Sequence, residues 1–206
     1  MFDIRMYKQN ALIQLKNRWN IPCLLAIIIG LISLIASCAG IIVSTAISGI
    51  LEVAFIFVLM ALYTAPEKIT FDVFLQGLER TWLNALLGSL WFLLWVFLWT
   101  LLFIIPGIIK AYSYSMMFFV IAENPTIGAT KAMDISKIMT EGHKADLFML
   151  DLSFVGWLFL SLLSCGIGFI WLIPYLYETR TNAYFDLKRM AFQRGLLTPA
   201  DFNKEA

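Results

Sequence analysis

Five ionisable side chains interrupt long apolar stretches of this sequence, and these residues have the greatest chemical potential. They are Glu52, Lys110, Asp151, Glu178 and Arg180. Ionisable groups inside a membrane are costly to bury, so each is a functional candidate and is expected to have a partner. The sequence lacks a glycine-rich phosphate loop, a nucleophile elbow and a histidine pair. We therefore predict no enzymatic activity, no cofactor and no metal.

The strongest of these candidates are Asp151 and Arg180, which fall at matching depths on two consecutive helices. If one helix runs from Lys144 to Ser164, Asp151 lies about 20 Å from its far end by the helical rise. If the next helix begins near Gly166, Arg180 lies about 21 Å from the same end. Because the two helices form a hairpin, we predict a charge-assisted pair between these side chains.

Three interpretations of this pair remain open from the sequence. The pair could serve only to lock the two helices together, or Arg180 could extend its charged end to the membrane interface. Alternatively, Asp151, Glu178 and Arg180 form a polar cluster that lines a cavity open to the cytoplasm. The other members of that cavity would be Thr179, Thr181, Asn182 and Tyr184.

Weaker candidates lie elsewhere in the chain. Glu52 and Lys110 are within reach of a second pair, although Lys110 could instead extend to the outer interface. His143 and Lys144 follow Gly142, a helix-stop signal, and are expected to be interfacial groups near anionic lipid headgroups. His143 is the sole histidine and has no neighbouring nucleophile or carboxylate triad in sequence.

The composition indicates a membrane protein. The chain has 206 residues, of which 61% are hydrophobic and 14% are charged, whereas soluble domains carry roughly 25% charged residues. Nucleic-acid binding is not expected, because it requires a continuous basic face. The expected partners are the lipid bilayer and, further, another membrane protein or a second copy of this chain.

The distribution of basic residues predicts the topology. Fourteen of the fifteen Lys and Arg residues fall in four polar stretches that alternate with paired apolar runs, and Lys110 is the exception. Cytoplasmic loops retain Lys and Arg, and translocated loops lack them. We therefore predict six membrane-spanning helices in a bacterial cell membrane, with the N- and C-termini in the cytoplasm. Residues 1–206 would form a single all-α integral membrane domain.

The six spans are expected to form three hairpins, each preceded by a short amphipathic helix that lies in the membrane interface. The hairpins are predicted at 21–64, 82–122 and 145–187, and the interfacial helices near 2–17, 70–80 and 125–140. The hairpin turns are placed within Cys38–Gly49, at Pro106-Gly107 and at Ser164–Gly166. This arrangement suggests three repeats of one unit.

The first apolar run needs separate consideration, because Ile35–Cys38 loosely matches a lipoprotein cleavage site. The polar region before it is long for a signal and the chain continues into further apolar sequence, so we predict a retained span. Cys38 and Cys165 both fall near the predicted outer face, where a disulfide would be feasible. Buried free thiols are the simpler expectation.

Three stretches carry a resemblance to a known family. They are LFIIPGIIKAYSYS at 102–115, DISKIMTEGHKADLFMLDL at 134–152 and GIGFIWLIPYLYETRTNAYFDL at 166–187. With residues 153–157 they resemble the bacterial multi-pass membrane family called domain of unknown function 975. The resemblance extends over nearly the whole chain and is most specific after residue 100. It implies an integral membrane protein and supplies no activity, substrate or catalytic residue.

Two classes of function follow from these observations. The first is a non-catalytic membrane scaffold, or a subunit that packs against a partner or lipids. The second is a small transporter or permease-like protein that uses the polar cavity. Short outer loops and the absence of paired, glycine-interrupted helices favour the first.

Overall fold

The computed structural model describes residues 2–38, 40–64, 70–102, 104–164 and 166–202, and every regular element among them is helical. This confirms the predicted all-α class. The helices are α1 Ile4–Leu15, α2 Asn20–Ser37, α3 Ile41–Thr64, α4 Phe71–Leu102, α5 Ile104–Tyr114, α6 Met117–Glu123, α7 Ala129–Met139, α8 Lys144–Leu152, α9 Val155–Leu163 and α10 Phe169–Gln193. A 3-10 turn, Pro199–Phe202, follows.

Four helical stretches among the described residues are long and apolar enough to cross a membrane. They are Asn20–Ser37, Val43–Thr64, Phe71–Leu98 and Lys144–Leu163. Large apolar side chains cover the outer surfaces of α2, α4 and α9, where Leu31, Phe97 and Leu163 are exposed. Exposed apolar surface of this extent is characteristic of lipid contact, so the chain is a membrane protein.

The remaining two predicted spans correspond to less regular or more polar segments. The segment 104–123 is divided into α5 and α6 by a turn at Ser115-Met116. α10 is 25 residues long, but Glu178, Arg180 and Asp186 lie within it. Neither segment is among the stretches that qualify as spans by length and composition.

The first and third predicted turns fall between helices, whereas the turn predicted at Pro106-Gly107 is wrong, because both residues lie inside α5. α2 ends at Ser37 and α3 begins at Ile41, and Gly40 immediately before α3 adopts φ +94, a conformation that glycine accommodates best. Pro106 falls in the first turn of α5, where a proline removes no helical hydrogen bond. The third turn lies between Leu163 and Phe169. Cys38 is a free thiol, and Cys165 lies outside the described residues.

The interfacial helix predicted at 70–80 is wrong as a separate element. α4 runs without a break from Phe71 to Leu102, because no proline or glycine pair interrupts the sequence there. Its amphipathic face packs on protein: Phe74 is 4% exposed and lies in a core cluster with residues of α2 and α3. The segment is therefore the first part of a long span-forming helix.

The segment 125–140 contains a separate helix, α7. Its place in the membrane interface stays a prediction, but its apolar stripe contacts protein. Its apolar stripe is buried in the main core, where Ile135 is 3% exposed. Ser136 Oγ and Thr140 Oγ1 both donate to the carbonyl of Ser113, at 2.9 and 3.2 Å. These two hydrogen bonds attach the C-terminal end of α7 to α5. Gly142, at φ +83, lies in the turn that follows α7, which ends at Met139.

The helix predicted near 2–17 is present as α1, and its buried face contacts α10. Asp3 caps it by accepting from the backbone N–H groups of Arg5 and Met6 at 2.9 and 3.2 Å. Tyr7 donates to Asp186, and the side-chain amides of Asn182 and Gln14 are in contact at 2.7 Å. Burial and the neighbouring Asp186 carboxylate raise the pKa of Tyr7. α1 therefore packs along the C-terminal half of α10.

Candidate functional site

Asp151 and Arg180 form the predicted pair. Arg180 Nε donates to Asp151 Oδ1 at 3.1 Å, and Nη2 donates to Oδ2 at 2.6 Å. This bidentate geometry is the strongest arrangement of a guanidinium and a carboxylate. The pair joins α8 to α10, as the matched depths predicted. Neither side chain is fully buried: Arg180 is 26% exposed and Asp151 is 22% exposed.

A third side chain completes the coordination of Asp151. Tyr112, on α5, donates its hydroxyl to Asp151 Oδ2 at 3.0 Å. The carboxylate of α8 is thus held by α5 and α10 together. Tyr112 was not identified from the sequence, although it lies in the stretch LFIIPGIIKAYSYS. A tyrosine in a run of apolar residues gives no pattern that distinguishes this contact from ordinary packing.

The ion pair faces a cavity of about 510 Å³, which we call the central cavity. Its charged lining groups among the described residues are Glu52, Asp151 and Arg180. Its other lining residues are Phe92, Ile108, Ala111, Tyr112, Ser115, Phe118 and Phe148. The cavity is therefore an aromatic and aliphatic space with charged groups concentrated on one wall, as binding sites for small molecules commonly are.

Glu52 belongs to this site, whereas the sequence ranked it among the weaker candidates. Tyr177, on α10, donates to Glu52 Oε1 at 2.9 Å. Tyr177 and Arg180 are three residues apart, so both lie on the face of α10 that turns towards α3 and α8. The predicted pairing of Glu52 with Lys110 stays a prediction, since Tyr177 is the hydrogen-bond partner that the structure places on Glu52.

Glu178 does not join Asp151 and Arg180, and its predicted place in that cluster is wrong. Residues two apart on a helix point to nearly opposite sides, about 200° apart. Glu178 is fully buried on the face of α10 towards α1. With the Gln14 amide nitrogen turned towards it, Gln14 donates to Glu178 Oε1 at 2.9 Å. Glu178 Oε2 has no hydrogen-bond partner among the described residues.

The polar residues predicted to line the cavity with Glu178 have other roles. Thr179 and Thr181 donate to carbonyls one turn earlier on α10, those of Tyr175 and Tyr177, at 2.8 and 3.0 Å. Tyr184 donates to Glu123 at the end of α6. None of the predicted additional residues lines the central cavity among the residues described.

His143 lies in a network at the start of α8 and contacts protein groups rather than facing headgroups alone. Its Nδ1 is 2.9 Å from Asp146 Oδ2, and its Nε2 is 3.1 Å from Arg194 Nη2. A neutral ring with its proton on Nδ1 donates to Asp146 and accepts from Arg194. The ring of Phe2 stacks on it at 5.9 Å between centroids. Lys144 begins α8 at the predicted junction.

The central site lies mainly in one recognisable segment of the chain. Residues 102–191 match the model of the family described as protein of unknown function (DUF975). The resemblance noted from the sequence is thereby confirmed over those residues. The DUF975 match includes Tyr112, Asp151, Tyr177 and Arg180, and Glu52 lies before it. No curated protein and no solved structure matches the chain.

Metal binding by acidic, histidine or cysteine groups finds no support in the described part of the chain, where no group of three or more such residues lies together. The DUF975 description names no activity. The chemistry of the site therefore has to be inferred from its geometry: an ion pair, a second carboxylate and the Tyr112 hydroxyl line a cavity, and Tyr177 donates to the second carboxylate.

Proposed function

We propose that this chain crosses a bacterial cell membrane six times, with both termini in the cytoplasm. In this arrangement the segment 104–123 is the fourth span and α10 is the sixth. Their polar residues face the bundle, as ionisable groups in spans do. The asymmetry of Lys and Arg supports this orientation. The relationship of the three hairpins as repeats is part of the same proposal: α1 and α7 are separate helices before the first and third hairpins, whereas the segment before the second hairpin is continuous with α4.

This topology predicts which positions an impermeant thiol reagent reaches from outside intact cells. In a background without other cysteines, native Cys38 is expected to be labelled, because it lies at the predicted outer turn and is exposed. Cysteines at Asp72 and Lys137 are expected to react only after the membrane is permeabilised. Labelling of either position from outside would reject the orientation.

We also propose that the protein is non-catalytic and binds a small polar solute in the central cavity, as a small transporter or permease-like protein. The observation that carries this is the ion pair, which is about a quarter exposed and faces 510 Å³ of space. Its open side leaves both charged groups accessible to a ligand, which a pair enclosed between two helices would not be. Open space beside charged groups favours a polar occupant.

The scaffold function, which the sequence favoured, is the second candidate here, and a specific contact supports it. Asp151 already accepts three hydrogen bonds, two from Arg180 and one from Tyr112, so the pair is satisfied without a solute. In that case the apolar faces of α2, α4 and α9 would be the functional surfaces. The partner would be lipid, another membrane protein or a second copy of this chain.

Reactivity of a cysteine in the central cavity distinguishes the two functions. Ser115 lines the cavity, whereas Ser136 is fully buried in the core. In a background without native cysteines, Ser115→Cys is expected to react with a small charged thiol reagent at least tenfold faster than Ser136→Cys. Comparable slow rates at both positions would indicate a dry bundle and would favour the scaffold.

A further inference from the structure

A second cavity lies beside the central one and shares Glu52 with it. It has a volume of about 360 Å³ and lies between α2, α3 and α10. Four of its lining side chains carry oxygen atoms: Ser33, Ser48, Glu52 and Tyr177. The rest of its lining is aliphatic, aromatic or glycine. This cavity therefore presents one carboxylate and three hydroxyl groups in otherwise apolar surroundings.

The hydrogen bond between Tyr177 and Glu52 forms part of the wall between the two cavities. Glu52 lines both of them, and Tyr177 lines the second. The Tyr177 ring is held by an edge-to-face contact with Phe55, with 5.6 Å between ring centroids. Ser48 donates to the carbonyl of Thr45 at 3.1 Å, which leaves its oxygen lone pairs able to bind a cation.

The charges around Glu52 favour a cation. Two carboxylates and one guanidinium line the central cavity, and the guanidinium is engaged by Asp151 through two hydrogen bonds. Glu52 receives a hydrogen bond from the neutral Tyr177 hydroxyl. When Glu52 is ionised, it therefore supplies the excess negative charge of the lining. An uncompensated carboxylate in the middle of a bundle is costly, and a bound cation would remove that cost.

We propose that Glu52 binds a small monovalent cation, with the hydroxyls of Ser33 and Ser48 completing the site in the second cavity. Small, hard cations such as Na⁺ prefer carboxylate and hydroxyl oxygens, and a proton on the carboxylate would satisfy the same charge. This inference rests on the proposed function, because it makes Glu52 the group that links cation binding to solute binding in the central cavity.

Four other titratable groups surround Glu52. Tyr177 and Arg180 approach it from α10, while Tyr112 from α5 and Asp151 from α8 share the central cavity with it. Among the described lining residues, α2 contributes Ser33 and α4 contributes Phe92, neither of which titrates in the ordinary pH range. An effect of pH that depends on Glu52 and survives Asp151→Asn therefore reports on Glu52 itself.

The test measures the melting temperature of the purified full chain in detergent as NaCl replaces choline chloride at constant ionic strength. A ligand that binds the folded state raises this temperature with its concentration. We expect Na⁺ to raise it by several degrees between 1 and 300 mM (about 2 kcal/mol if the dissociation constant is about 10 mM). Glu52→Gln, which keeps an acceptor for Tyr177, is expected to abolish the rise.

Glu178→Gln is the matched control, since Glu178 is a buried glutamate that lies on the other face of α10. Ser33→Ala and Ser48→Ala provide a second route to the same result if Glu52→Gln fails to fold, and each should weaken the Na⁺ response. A response to pH in choline chloride that Glu52→Gln removes would assign the cation as a proton. The absence of both responses in the unmodified chain, or their persistence in Glu52→Gln, would overturn the proposal.

The cavity-labelling experiment with Ser115→Cys separates this inference from the proposed function. Rapid labelling without a cation response would reject the cation site and leave the solute-binding cavity standing. Slow labelling together with a cation response that depends on Glu52 would reject the solute-binding cavity and support the cation site.

Discussion

Replacing Arg180 with glutamine, or Asp151 with asparagine, is expected to lower the free energy of unfolding by about 2–3 kcal/mol. Each change leaves one charge without its bidentate partner in the middle of the bundle. The loss should be below that of a completely buried pair, because both side chains are partly exposed to the cavity. Denaturant or thermal unfolding of the purified chain in detergent would measure it.

The double variant is expected to recover part of that loss, because neither charge then remains unmatched. Direct contact predicts a coupling of at least about 1 kcal/mol in the double-mutant cycle. Asp134 and Lys137 on α7 form the matched control, since their atoms are 4.0 Å apart and the side chains are 67% and 53% exposed. Their cycle should give less than about 0.5 kcal/mol. Simple additivity at Asp151 and Arg180 would contradict the structural contribution of the pair.

The same pair shows what counting residues along helices predicts well. A tight turn between two antiparallel helices fixes their relative register, so depth alone brought Asp151 opposite Arg180. Depth carries no information about direction around the helix axis. Glu178 has nearly the depth of Arg180 but points towards α1, where Gln14 lies beside it. The error in the predicted cluster is therefore one of angle and not of position along the chain.

Glu52 was ranked low for a different reason, the uncertain turn before its helix. With α3 beginning at Ile41, Glu52 is as far from the start of its helix as Arg180 is from Phe169 at the start of α10. The depth argument then groups Glu52 with Asp151 and Arg180. The position of the turn within Cys38–Gly49 could not be determined from the sequence, because small residues occur throughout that stretch.

The amphipathic segments illustrate a second limit. Apolar residues at helical spacing show that one face of a helix is removed from water, and they do not identify what covers it. We predicted lipid headgroups for the faces that contain Phe74 and Ile135. Both are covered by protein, the first by α2 and α3 and the second by the main core. Whether lipid or protein covers such a face depends on long-range packing, which sequence periodicity does not encode.

Close packing of α3 on α4 leads to the second large effect, which is expected for Gly49→Ala. A Cβ atom at Gly49 would lie 2.3 Å from Ser89 Cβ, far inside normal contact distance. Ser89 Cβ is fixed to the backbone of α4, so the two helices would have to separate. Small residues commonly allow such close approach of membrane helices. We expect unfolding free energy to fall by about 2 kcal/mol, a typical cost of overpacking.

Two comparisons make this prediction specific to the contact. Gly30→Ala on α2 introduces the same methyl group where no atom lies within 4 Å, so it should be neutral or stabilise by up to about 1 kcal/mol through helix propensity. Ser89→Gly added to Gly49→Ala should restore stability, because the obstructing Cβ is then removed. If Gly49→Ala behaves like Gly30→Ala, α3 and α4 do not approach this closely. The position of Glu52 between the two cavities would then also be in doubt, because Glu52 lies one turn after Gly49 on α3.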